Sequence, residues 1–242
     1  MSLVEKLRSL SPMARRLVIM RFCGHVGMLA CYFIGILGTL TYSLGGTALS
    51  TTFSVGLINL ATVIGNFVGG AMLDSLGPRR HFLISVVATC VSAALFQVLA
   101  DTVEGILICS AVFGLAWGIE DIVARSYAAY ITDDADELSC INPMLSAVTN
   151  LTVVVGPLVG SAITSVSSTR MVFVFGAVMA LAGLVPAAGF HPLRQPAEEE
   201  GAEYSDNSLS AGFLAVAAKP TLRMLLAVGF LTYFGYGAFR IG

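Results

Sequence analysis

Charge is scarce in this chain of 242 residues: Lys, Arg, Asp and Glu together make up 12% of it, against roughly a quarter in soluble domains. With 56% hydrophobic residues and a mean hydropathy of +0.85, that scarcity excludes an ordinary soluble domain and implies a membrane protein. A basic stripe is missing as well. The formal net charge is −2, and without clustered cations nothing matches the phosphates of a nucleic acid. Cysteines are few and scattered: Cys23, Cys31, Cys90, Cys109 and Cys140 are odd in number and lie mostly inside apolar runs. They form neither a disulfide framework nor a C-x-x-C metal site and read as small hydrophobes. The chain has no H-E-x-x-H, G-x-S-x-G or phosphate-loop pattern, so it is not read as an enzyme, and no cofactor or metal is expected. No A-x-A-like cleavage site follows the first apolar stretch, which is therefore read as a retained membrane helix.

Long apolar runs fill the rest. A spanning helix needs about 20 mainly apolar residues, and such runs occur at 17–41, 51–73, 82–100, 105–128, 143–164, 171–190 and 222–241. The pattern predicts a cytoplasmic segment over 1–16, six membrane helices over 17–190, an acidic linker over 191–219, and a seventh helix over 220–242. Orientation follows from Lys and Arg. Lys6, Arg8, Arg15, Arg16, Arg21, Arg79, Arg80, Arg125, Arg194, Lys219 and Arg223 fall on one side of a six-crossing layout, whereas Arg170 and Arg240 fall on the other. The N-terminus is thus expected in the cytoplasm. "PMARRL" at 12–17 is echoed by "PTLRML" at 220–225, as if the seventh helix began a second copy of the first bundle.

Between the second and third runs lies "GGAMLDSLGPRRHF" (69–82), one of the few places where charge gathers. Gly70 is expected to permit close packing, Gly77-Pro78 a tight reversal, and Arg79 and Arg80 the positive-inside start of the next helix. The pattern Gly70-x-x-x-Asp74-x-x-Gly77-x-Arg79-Arg80 resembles the loop signature of the major facilitator superfamily, with Ser75 departing from it. In the fifth run, "GPLVGSAI", with Gly156, Pro157 and Gly160, looks like the Gly-Pro element of that superfamily's exporters, with Ser161 as the departure. "LSCINPMLSAVTNLTVVVGPLVG" and "ARSYAAYITDD" point toward the branch with macrolide and enterobactin exporters.

The resemblance implies an all-α integral membrane fold: a six-helix N-terminal bundle made of two three-helix inverted repeats, followed by the first helix of a second half expected further along the same polypeptide. It also implies a role for the loop. Asp74 would be the acid of a conformational latch, Arg79 and Arg80 its cations, and Arg125 a partner at the end of the fourth helix. Ordinary positive-inside arginines are the plainer reading.

Ionisable groups inside the runs are the other candidates, because charge at such depth usually faces protein or water. Asp121 and Arg125 are four apart on one helix face, in the favourable acid-before-base order. Ser110, Gly114 and Gly118 suggest a close helix contact. Glu120 and Asp121 read either as a structural ion pair, with Glu120 snorkelling, or as groups that exchange protons during transport. His25, in "RFCGHVG", is either a hydrogen-bonded packing residue or a third titratable group; family members often carry Gly-Asp there. Pro157 predicts a bend, Asn142-Pro143 a helix start, and Trp117 a packing or ligand-stacking ring. The expected partners are a small-molecule substrate, the proton as coupling ion and the lipid bilayer, with no nucleic acid. The expected location is a bacterial inner membrane. The function that follows is a proton-coupled exporter of hydrophobic or amphipathic small molecules. An uptake carrier of the same fold, or a truncated sensor or scaffold that transports nothing, are the alternatives.

Overall fold

The computed structural model describes residues 10–193, together with 218–221, 223, 224 and 228. The chain divides into two units, residues 1–198 and 199–242. The acidic linker and nearly all of the predicted seventh helix therefore lie outside the described residues. Five helices among the described residues are long and apolar enough to cross a membrane. α1 (Pro12–Ala30) is capped by Ser11, whose hydroxyl accepts from the Ala14 amide, and it runs on in π-helical geometry over Cys31–Leu37 and Thr39–Ser43. α2 spans Ala48–Leu99, α3 Val103–Ser126, α4 Ala135–Val166 and α5 Thr169–Ala182, with a short α6 at Leu184–Ala188.

With 52 residues, α2 would measure about 78 Å if straight, more than twice the apolar thickness of a bilayer. It is not straight: Gly77 takes φ 75° and ψ 168°, which breaks the helix into two arms. Residues with a side chain rarely adopt that backbone, which is why glycine sits there. Replacing Gly77 by Ala is expected to cost about 1–3 kcal/mol, read as a lower melting temperature in detergent. On the first arm, Ser54 bonds Ser110, Ile58 abuts Gly114 and Gly69 abuts Ile119, so the arm runs parallel to α3. On the second arm the order reverses: Pro78 and His81 meet Tyr127 while Phe96 meets Phe113.

The small-residue stripe of α3 makes the close contact its spacing predicts. A Cβ on Gly118 would fall 2.7 Å from both the Asn66 nitrogen and the Gly65 carbonyl carbon. Backbone atoms cannot step aside, so Gly118→Ala is expected to lose about 1–3 kcal/mol by overpacking, again visible in the melting temperature. Gly70 behaves differently from expectation. Open space surrounds its Cβ position, and the tight approach falls one residue earlier, at Gly69, where a Cβ would come 3.0 Å from the Ile119 Cα.

The predicted helix start at Asn142-Pro143 also shifts. Asp134 caps α4 eight residues earlier, accepting from the Asp136 amide at 2.9 Å, and Asp136 and Glu137 in the first turn suit the positive end of the helix dipole. α4 then continues through both Pro143 and Pro157.

Two apolar clusters form the core. One gathers Leu17, Met20, Ile122, Val123, Leu145 and Val148 toward the N-terminal end of α1; the other gathers Met28, Ile36, Phe96, Phe113 and Phe173. Phe96 and Phe173 stack with centroids 3.8 Å apart, tying the second arm of α2 to α5. In sequence Arg21 of α1 and Glu120 and Asp121 of α3 fall between these clusters, and there they are brought together.

Candidate functional site

Arg21 is the centre of the site. Sequence position made it one more positive-inside arginine, but its side chain is 2% exposed and all three guanidinium nitrogens are engaged. Nη1 donates to Glu120 Oε2 at 2.8 Å, Nη2 to Asp121 Oδ1 at 2.9 Å, and Nε to the Thr149 hydroxyl at 3.1 Å. The planar fork of arginine suits this three-way task, which a lysine ammonium could not perform in the same geometry. Arg125 Nε closes the cluster on Asp121 Oδ2 at 2.7 Å, the i,i+4 pair that the spacing predicts.

The two carboxylates are treated unequally. Asp121 has one oxygen on each arginine. Glu120 has Oε2 on Arg21, while Oε1 is buried without a hydrogen-bond partner among the described residues. That bare oxygen is aimed at Gly24 of α1, where a Cβ would fall 2.6 Å away. Glu120 is 3% exposed, so it does not snorkel to the interface. Two arginines against two carboxylates leave the cluster neutral when all are ionised, and protonating one acid adds a full positive charge in a buried place. A cavity of about 390 Å³ opens beside it, lined by Arg21, Asp121, Arg125, Ser146, Thr149 and Asn150.

His25 lies one turn further along α1 and is 5% exposed. Its Nδ1 is 2.6 Å from the Thr152 hydroxyl, which itself donates to the Thr149 carbonyl at 2.7 Å. The hydroxyl has a single proton, so Nδ1 is the donor and the tautomer is fixed. Trp117, half-buried, meets the His25, Tyr32 and Phe113 rings edge-on, at centroid distances of 6.1, 5.4 and 5.6 Å. His25 is thus held between the Thr152 hydroxyl and the Trp117 ring. Gly156 and Gly160 let α4 lie against α1: their Cβ positions fall 2.8 Å from Leu29 Cβ and 2.9 Å from Ile34 Cγ1. The Gly-Pro element therefore serves the contact that holds Thr149 and Thr152 against Arg21 and His25.

This architecture of apolar crossing helices around a buried charge cluster agrees with what comparison of the sequence shows. A family model described as Major Facilitator Superfamily matches residues 17–241. The chain belongs to the major facilitator superfamily. It is an integral membrane protein of a family of transporters rather than of enzymes. It is also similar to an uncharacterized MFS-type transporter, YqjV, of Bacillus subtilis (strain 168), at 24% identity over 243 aligned residues. Those residues cover 98% of this chain and 56% of the relative, so the chain spans little more than half of that relative's length.

The loop residues of the superfamily signature stand apart from the cluster. Asp74, Arg79 and Arg80 are exposed, and the carboxylate that holds Arg125 belongs to Asp121. The latch expected from the resemblance also involves a second half, and among the described residues Asp74 is not one of the carboxylates paired with an arginine. Sequence reasoning missed Arg21, Thr149, Thr152, and the buried pair His81 and Tyr127. The signal for Arg21 was its register: it is four residues before His25 and so shares its helix face.

Proposed function

We propose that this chain is the first, six-crossing half of a proton-coupled secondary transporter that exports hydrophobic or amphipathic small molecules by alternating access, with Glu120 carrying the proton. The observation that carries the reading is the buried Glu120 carboxylate, held by Arg21 through one oxygen and bare at the other, beside an Asp121 clamped by two arginines. A proton has an open oxygen on Glu120, whereas on Asp121 it must displace a guanidinium. The adjoining cavity, with its hydroxyls and amide, gives a substrate access to the same charges.

The break at Gly77 supports counting the two arms of α2 as separate crossings, which makes six. The gathering of Lys and Arg supports a cytoplasmic N-terminus, and the similarity to a Bacillus subtilis protein supports a bacterial plasma membrane as the location. A second half is supported by polar side chains exposed along membrane helices: Asn142, Ser146 and Asn150 on α4, and Thr52 and Asn59 on α2. Amides facing hydrocarbon are costly, and a second bundle packed on those faces would satisfy them. Asp74, Arg79 and Arg80, free of the cluster, are then available to that half as the latch.

The test is flux. With the complete transporter in everted vesicles, a compound panel is expected to yield substrates that dissipate a preformed pH gradient. A broad panel giving no substrate-dependent proton movement rejects proton-coupled export. Direction of flux in intact cells separates an exporter from an uptake carrier of the same fold.

A further inference from the structure

His81 and Tyr127 belong to neither the charge cluster nor the loop signature, yet both are fully buried. Tyr127 Oη lies 2.7 Å from the Pro78 carbonyl oxygen, which can only accept, so the hydroxyl proton goes there. His81 Nδ1, 2.8 Å from the same Oη, must then be the donor, which fixes the imidazole as its Nδ1–H tautomer. Its Nε2 is left with a bare lone pair, buried without a partner among the described residues, 3.3 Å from where a Cβ on Gly69 would lie. A phenylalanine would fill this space without an orphaned nitrogen. The imidazole's distinctive contribution is the single bond to Tyr127.

That bond acts at a pivot. Pro78 follows Gly77, the break between the two arms of α2, so Tyr127 holds the turn by the carbonyl next to its hinge. His81 sits in the wedge between α3 and both arms, and Gly69 in the same wedge abuts Ile119, the neighbour of Glu120. Tyr127 itself is seven residues beyond Glu120, at the start of the 3₁₀ turn Tyr127–Tyr130 that directly follows α3. The charged and titratable groups nearest Glu120 are Arg21 and His25 from α1, Asp121 from α3 and Tyr127 from the 3₁₀ turn after it, with the Thr149 and Thr152 hydroxyls from α4 on Arg21 and His25 and Arg125 behind Asp121.

We propose that His81 and Tyr127 are positioning residues that couple the charge state of Glu120 to the α2 turn, so that the loop carrying Asp74, Arg79 and Arg80 loosens or tightens with the cluster. The inference rests on the proton-carrying role of Glu120 given above.

The experiment is a coupling cycle in the complete transporter, with Cys140→Ser removing the exposed native thiol and Ser75→Cys placing a probe in the loop. Ser75 is exposed and bonds only to carbonyls of its own helix among the described residues. Glu120→Gln, which imitates the protonated acid, is expected to change the thiol-labelling rate at position 75 by about threefold or more. Adding Tyr127→Phe or His81→Ala is expected to abolish that change. His81→Asn, whose side-chain amide can still donate to Tyr127, is expected to restore it. A role in stability alone would lower the melting temperature of the Tyr127 and His81 variants but leave the response to Glu120→Gln intact, and that result overturns the proposal. No response to Glu120→Gln in the otherwise intact chain overturns it too, while the proton-flux assay decides the role of Glu120 separately.

Discussion

Arg21→Ala is expected to be the most damaging single substitution in the described part of the molecule. It removes the group that bonds Glu120 Oε2, Asp121 Oδ1 and the Thr149 hydroxyl together, and it leaves the Glu120 carboxylate buried with neither oxygen paired. Breaking a buried pair by deleting one partner costs about 3–5 kcal/mol, because the surviving charge keeps its desolvation penalty. Part of that loss is recoverable by protonating Glu120. The variant should therefore be more stable relative to wild type at low pH than at high pH. Arg21→Lys should retain one ion pair and lose the fork, falling between the two. The double variant Arg21→Met with Glu120→Gln should be closer to wild type in stability than Arg21→Ala, since it leaves no unpaired buried charge. Thermal unfolding in detergent at two pH values checks all of these. An Arg21→Ala protein as stable as wild type at neutral pH would show that the cluster contributes nothing to the fold.

Glu120→Gln should do the reverse: keep the fold and remove the coupling. The amide preserves the size of the side chain, and its carbonyl oxygen can still accept from Arg21, but it cannot take or release a proton. In vesicles, accumulation of substrate against its gradient is expected to fall to unity, while counterflow exchange between substrate pools persists. Wild-type transport should vary with pH, and the Glu120→Gln protein should lose most of that dependence. Asp121→Asn is expected to act differently. Both Asp121 oxygens are bonded to arginines, so the change disturbs Arg21 and Arg125 together and should reduce binding and stability as well as coupling. The comparison of the two variants separates the acid that carries charge in transport from the acid that holds the arginines in place.

Membrane insertion, the Asp121–Arg125 pair and the α3 small-residue stripe were legible because they depend on composition or on spacing along one helix. The superfamily was legible from two short patterns. The site itself was only half legible. Glu120 and Asp121 stood out as charges in an apolar run, but Arg21 was hidden by its position, since an arginine at the start of a first crossing is what the positive-inside rule expects. Its burial is decided by α3 and α4, which lie some 100 residues away in sequence: the Arg21–Glu120 bond spans 99 residues and the Arg21–Thr149 bond 128. Gly69 and Gly70 show a related limit. Adjacent residues on a helix differ by about 100° in direction, so a pattern of glycines cannot say which one meets the neighbouring helix. His81 was illegible for another reason: its hydrogen bond depends on a hydroxyl that meets the Pro78 carbonyl only when Gly77 reverses the chain.

If Glu120 binds and releases a proton within a buried ion cluster, infrared difference spectroscopy of the complete purified transporter shows it most directly. A carbonyl-stretch band of a protonated carboxylic acid should titrate with pH in the wild-type protein, shift on substrate addition, and be absent from Glu120→Gln. A wild-type spectrum without such a band across the pH range of transport, or the same band retained in Glu120→Gln, would contradict the account.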